Sequence, residues 1–247
     1  MPATYRITTH AAPLPAALTE QLHGFLGHKG EPWLHDIRRR YQGAGPDLCA
    51  VAWAGAVPAA HVWVGLDAAS PMLGLLGHVY THPDHRRQGL ARRLVEALLA
   101  ESATHGGRYL ILGVDNPAAA TLYASLGFQT LNGPSASGHC CMLHGATPDA
   151  FRREIYPAAL RQPPRWVPLS PATYAAGILL FNLTPGNAKF PPLGVDDGQR
   201  AELDLLEAMA AMAAGGPAVE LEYRGGLPAA LRVRTATGQE QTYRPEE

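Results

Sequence analysis

Cysteine is scarce. The 247-residue chain has three, Cys49, Cys140 and Cys141. That is too few for a disulfide framework, and adjacent Cys140 and Cys141 would point to opposite faces of a strand. No Cys-x-x-Cys pair occurs, so no metal is expected. An excess of charge is also lacking. The net charge is -1 and the pI about 6.8, which gives no global pull towards nucleic acid or an anionic membrane. Aromatic residues are not interleaved with basic ones as nucleic-acid binding would require. No apolar run is long enough to span a bilayer, and the N-terminus lacks the basic-then-apolar pattern of a secretory signal. Lysine is rare beside alanine, arginine and proline, as in GC-rich genomes. A soluble, cytoplasmic, bacterial protein with no nucleic-acid or membrane partner is expected. What is present is core material: 47% of residues are hydrophobic, enough for one large domain or two small ones.

The most informative stretch runs from Leu73 to Arg93, LGLLGHVYTHPDHRRQGLARR. Leu73–Thr81 is apolar and ends in residues that favour strands. His82-Pro83-Asp84 breaks the ladder, because proline has no N–H to donate. An amphipathic helix starts near Gly89: Leu90, Leu94 and Leu98 recur four apart, while Arg92, Arg93 and Glu96 fall on the other face. A glycine at a strand-to-helix turn lets the backbone approach a ligand. The free N–H groups of the first helical turn then face that ligand, and the dipole favours an anion. Arg86 and Arg87 add positive charge. This is a site for phosphate or pyrophosphate. It is neither a Walker A loop nor a dinucleotide fingerprint, since Gly-Lys-Ser/Thr and GxGxxG are both absent. The plainer alternative is a strand–loop–helix corner with solvated arginines.

Arg86-x-x-Gly89-x-Ala91 resembles the Q/R-x-x-G-x-G/A acyl-CoA loop of the GNAT acyltransferase superfamily. A second segment resembles the same family. Asn116-Pro-Ala-Ala-Ala-Thr-Leu-Tyr123-Ala-Ser-Leu-Gly127-Phe128 is similar to its N-x-x-A-x-x-L-Y-x-x-x-G-F segment. The two occur in the family's order, and the resemblance covers about residues 1–145. It implies an α/β (α+β) fold with a mixed, mostly antiparallel sheet flanked by helices. It implies acyl transfer, most often acetyl, from acetyl-CoA as cosubstrate to an amine of a small molecule or peptide. The implied cofactor-binding positions are Arg86, Arg87, Gln88, Gly89, Leu90 and Ala91, with main-chain groups of Val79 and Thr81 along the pantetheine arm. The Val79 N–H would polarise the thioester carbonyl. Asn116 would bond the pantetheine region and also cap a helix. Tyr123 would be the general acid; its alternative is packing on a helix. Where members of the family often carry a Glu or His base, this chain has Leu75 and Gly77. His78 is the nearest titratable group, and strand alternation puts it on the face opposite those two positions.

The flanking elements follow from pattern. Thr4–Thr8 reads as a strand, Leu14–Leu26 and Trp33–Tyr41 as helices. The resemblance makes that helical region the acceptor side, with His23, His28, Glu31, Trp33, His35 and Asp36 as candidates for its lining or as ordinary surface groups. Asp47–Trp53 and Val57–Val64 form a hairpin around Ala-Gly-Ala, with His61 as a packed or edge residue. Arg108–Val114 follows its helix as a parallel crossover strand. Asn116–Leu126 is a helix with Asn116 as cap and Gly127 at its end. Phe128–Leu131 and His139–Leu143 complete the sheet. Residues 146–247 resemble nothing recognised and read as a smaller α+β domain. It has an apolar run at Tyr174–Leu183, a helix at Asp196–Ala214, and a meander at Val219–Tyr223, Leu231–Thr235 and Gln241–Tyr243. Two functions stay open: an N-acetyltransferase, and a non-catalytic acyl-CoA-binding sensor or scaffold acting through the C-terminal region. A homodimer is one assembly open to either.

Overall fold

The computed structural model describes residues 4–30, 33–43, 45–66, 72–132, 140–155, 158, 161–168, 218–225, 227–234 and 238–243. Strands β1 (Arg6–Ala11), β2 (Asp47–Ala54), β3 (Val57–Leu66), β4 (Leu73–Thr81), β5 (Tyr109–Val114), β6 (Gln129–Asn132) and β7 (Cys140–His144) form one sheet in the order β1-β2-β3-β4-β5-β7-β6. Each neighbouring pair is antiparallel except β4 with β5. This is the expected mixed, mostly antiparallel sheet. The first strand lies further along than its own residues suggest. It runs to Ala11 because its six residues pair one to one with β2, from Arg6 opposite Trp53 to Ala11 opposite Leu48.

Helices α1 (Ala16–Phe25) and α2 (Trp33–Gln42) cover one face, α3 (Leu90–Thr104) and α4 (Pro117–Ala124) the other. Strand β2 shows the division. Leu48, Ala50 and Ala52 join the core under α3, while Cys49, Val51 and Trp53 join the core under α1 and α2. Both faces are covered, so β2 and β3 are apolar almost throughout. In α3, Leu90, Leu94, Val95 and Leu98 are buried, each worth roughly 1.5–3 kcal/mol in area removed from water. Phe151 carries the core past His144. Its ring meets Tyr109 edge-on at 5.4 Å, in a cluster with Leu73, Ile111, Leu131 and Leu143.

A second sheet comprises β8 (Arg165–Pro168), β9 (Ala218–Arg224), β10 (Leu227–Arg234) and β11 (Glu240–Tyr243), antiparallel in the order β11-β10-β9-β8. The expected meander is its last three strands. Strand β8 was not expected, since its stretch is flanked by prolines; as an edge strand ending in Pro168 it tolerates one. Arg232 pairs with Glu220 and lies 4.0 Å over the Trp166 ring. The apolar run at Tyr174–Leu183 and the helix expected at Asp196–Ala214 lie outside the described residues. Among the described residues no helix is long and apolar enough to cross a membrane.

Candidate active site

The site is built where β4 leaves its parallel neighbour. Pairing between β4 and β5 covers only Leu73–Leu75 with Tyr109–Ile111. From Leu76 to Thr81, β4 stays on β3 alone. Its other edge therefore offers main-chain donors and acceptors to an extended ligand, as an edge strand does. Val79 and Thr81 lie on that stretch, and both are part-buried.

Beyond Thr81 the chain turns through residues 83–85, and the Pro83-led turn is tied by the Asp84 N–H donating to His82 Nδ1 at 3.4 Å. Arg86 Nε–H donates to the Thr81 carbonyl at 3.2 Å, so this arginine braces the strand end. Arg87 (φ 60°) and Gly89 (φ 70°) both have left-handed backbone. Left-handed residues are the ones used in backbone turns that gather N–H groups around an anion. Gly89 caps α3 without any side chain capping the first turn. A Cβ on Gly89 would meet nothing within 4 Å. Residues Arg86 to Gly89 are exposed, Leu90 is buried in the core, and Ala91 is part-buried. The Arg86 N–H is taken by the Pro83 carbonyl at 3.2 Å, and the turn from Arg87 to Gly89 leads into the first turn of α3, where no side chain caps the N–H groups.

Tyr123 enters from α4. Its ring is buried in the same core as Val79, Leu90 and Leu94, edge-on to Phe128 at 5.8 Å. A buried tyrosine hydroxyl usually finds a partner, yet this one makes no hydrogen bond to any described residue. Burial pushes its pKa up to about 12, so it is protonated, the state an acid needs. Asn116 caps α4: its Oδ1 accepts from the N–H of Ala118 at 2.9 Å and of Ala119 at 3.3 Å.

The structure corrects the placement of His78. The β3–β4 register shifts between the pairs Trp63–Gly77 and His61–Tyr80, and His78 has φ 50°. This bulge puts an extra residue into β4 and cancels the alternation. Leu76 and Val79 point into the core under α3. The His78 ring instead lies 5.2 Å from the Trp63 ring, on the α1–α2 side that Gly77 also faces. Burial, and then the charges of Lys29, His61 and Arg40, push its pKa well below the ordinary histidine value. The ring is neutral at neutral pH.

Of the other groups on that side, pattern points to His61 but not to Arg40, Tyr41 or Asp47. Tyr41 and His61 hydrogen-bond at 2.5 Å, both fully buried. Asp47 accepts from Trp63 Nε1 at 2.8 Å and pairs with buried Arg40. A histidine amid the apolar run of β3 was the available signal; His61 is packed, as its strand context suggested. Of the acceptor-side candidates, His28 stacks on Tyr80 with ring centres 3.8 Å apart, and His23 is part-buried at the end of α1. Glu31 and the side chains of Trp33, His35 and Asp36 lie outside the described residues.

The model of the Acetyltransferase (GNAT) family matches residues 15–128. A 52-residue segment is 40% identical to the L-amino acid N-acyltransferase MnaT of Escherichia coli K12, and covers 20% of this chain and 30% of that protein. Among solved structures, the aminoglycoside 6'-acetyltransferase type Ii is 18% identical, with 57% of this chain and 96% of that one covered and a TM-score of 0.48. The ribosomal-protein-S18-alanine N-acetyltransferase of Escherichia coli is 25% identical, with 56% and 93% covered and a TM-score of 0.45. The family match spans the elements that build the turn at Gly89 and the Tyr123 helix, from α1 to Phe128, and residues 15–128 therefore form a domain of the Acetyltransferase (GNAT) family.

Proposed function

We propose that the chain is an acyl-CoA-dependent N-acyltransferase that moves an acetyl group from acetyl-CoA to a primary amine of a small molecule or protein, by direct attack in a ternary complex. The observation that carries this reading is the half-open β4 running into the uncapped, left-handed turn at Arg87–Gly89. Acetyl-CoA, when bound, supplies the acetyl group activated as a thioester. The N–H groups from Arg87 to Ala91, with the Arg86 and Arg87 side chains, hold its pyrophosphate, and main-chain groups of Val79 and Thr81 align the pantetheine arm. Asn116 adds a polar group at the start of α4.

The Val79 N–H donates to the thioester carbonyl oxygen, where negative charge develops. The neutral amine forms the C–N bond as the C–S bond breaks. Tyr123 O–H donates its proton to the leaving sulfur, and the amine's proton passes to the neutral His78 ring or to water. Lys29 acts electrostatically on His61 and His78, and no described carboxylate lies within ion-pair reach of it. This favours an acceptor that carries a carboxylate, as the name of the Escherichia coli relative also suggests.

A second reading, an acyl-CoA-binding sensor or scaffold, is favoured by one observation: burial leaves His78 a weak base. Release of free thiol from acetyl-CoA across a panel of amines and amino acids separates the two. Amine-dependent release is expected. Tight acetyl-CoA binding with no acceptor-stimulated release would establish the sensor instead.

A further inference from the structure

The bulge in β4 is held by a chain of buried side chains. His61 Nδ1 lies 3.0 Å from the His78 carbonyl, and Tyr41 Oη lies on His61 Nε2. A carbonyl can only accept, so Nδ1 carries the proton. Nε2 is then a lone pair, and the Tyr41 hydroxyl must donate to it. The Tyr41 and His61 protons thus both point towards the His78 carbonyl. Cys49, also buried, interacts with the Tyr41 hydroxyl. Burial holds His61 at about 4 and raises Cys49 to about 12 and Tyr41 above its usual value. None of the three changes protonation in the neutral range.

The carbonyl at the end of this chain belongs to the residue that breaks the register. His78 sits at φ 50°, a sparsely populated conformation that persists only where its surroundings hold it. The same peptide unit carries the Val79 N–H, held trans to that carbonyl. We propose that Tyr41 and His61 are positioning residues for acyl transfer, which lock the β4 bulge by hydrogen-bonding the His78 carbonyl and so fix the aim of the Val79 N–H. The inference rests on the acyltransferase reading. A donor aimed at a developing oxyanion works only when it is already in place. His61 and Tyr41 touch neither cosubstrate nor acceptor; they act through the backbone.

Three variants and one spectrum test this. His61→Leu keeps comparable bulk and removes the donor. His61→Asn puts an amide N–H near the place of Nδ1–H. Tyr41→Phe keeps the ring and removes the proton that fixes the tautomer. With acetyl-CoA and a competent amine, kcat should fall about 10–100-fold in His61→Leu, while KM for acetyl-CoA changes less than about 3-fold. His61→Asn should recover much of the loss, and Tyr41→Phe should fall between. Wild-type kcat in His61→Leu, or equal loss in Leu and Asn, would overturn the proposal.

Nitrogen-15 spectra of labelled histidine in the wild type read the tautomer without any turnover. A protonated Nδ1 on His61 is expected, and a protonated Nε2 would overturn the lock, even if His61→Leu fails to fold. If the wild type transfers no acetyl group to any amine, the acyltransferase reading fails. The lock itself is then judged by that tautomer and by hydrogen exchange over residues 76–81. Exchange should quicken in His61→Leu and recover in His61→Asn; unchanged exchange in both would refute it.

Discussion

Gly89→Glu is expected to leave the fold intact and to abolish acetyl-CoA binding. In the free protein the new side chain meets no neighbour within 4 Å. Its cost is the left-handed backbone at φ 70°, roughly 1–2 kcal/mol for a residue with a Cβ. A domain of this size then melts about 2–8 °C lower. In the complex the carboxylate stands against the pyrophosphate. Two phosphate charges at about 5 Å repel it by about 2 kcal/mol at the dielectric of water and about 7 kcal/mol at an effective dielectric of about 20. Each 1.4 kcal/mol is about tenfold in affinity, so at low salt about a tenfold loss or more follows even at the dielectric of water. Gly89→Ala carries the same strain without the charge and is the control. Calorimetric titration with acetyl-CoA measures both, with thermal melts to show that both are folded. The gap between them should narrow as salt is raised, because the repulsion is partly exposed. If Gly89→Glu binds within about threefold of Gly89→Ala at low salt, the pyrophosphate does not lie at the start of α3.

Tyr123→Phe should lower kcat by about 10²–10⁴ and leave acetyl-CoA affinity and melting temperature nearly unchanged, since the hydroxyl bonds no described residue; unchanged turnover in a thiol-release assay would leave Tyr123 as packing alone. Asn116→Ala removes two capping hydrogen bonds to Ala118 and Ala119 and should cost about 1 kcal/mol, read from urea midpoints; an unshifted midpoint would show that α4 does not depend on its cap. Stability should also fall in acid through His61. Burial holds it at about 4 in the folded protein against 6.5 when unfolded, so the unfolded chain protonates first. The stabilisation is complete above about pH 6.5 and is lost as pH falls towards about 4, about 3 kcal/mol over that window. Burial pulls His10, His28, His78 and His144 the same way, so His61→Asn should flatten the urea-unfolding pH profile without levelling it. An unflattened profile would refute the assignment.

The strand–turn–helix corner was legible because its instructions are local. Proline stops the ladder at Pro83, Gly89 takes the left-handed cap, and Leu90, Leu94 and Leu98 mark one helical face. The hairpin of β2 and β3 and the Asn116 cap were readable for the same reason. The face of His78 was not. Alternation within β4 gives one answer, and the bulge against β3 gives the other. Register belongs to the pair of strands, and one extra residue turns the side chains that follow to new faces. The insertion of β7 between β5 and β6, and the capture of β8 by β9, are likewise pairings between distant segments. Tyr41 and His61 stand twenty residues apart on a helix and a strand, and no spacing rule joins them. Short-range chemistry was enough to announce a left-handed, uncapped turn at Gly89. How the β4 backbone is bent and braced towards that turn depends on contacts that exist only once the sheet has closed.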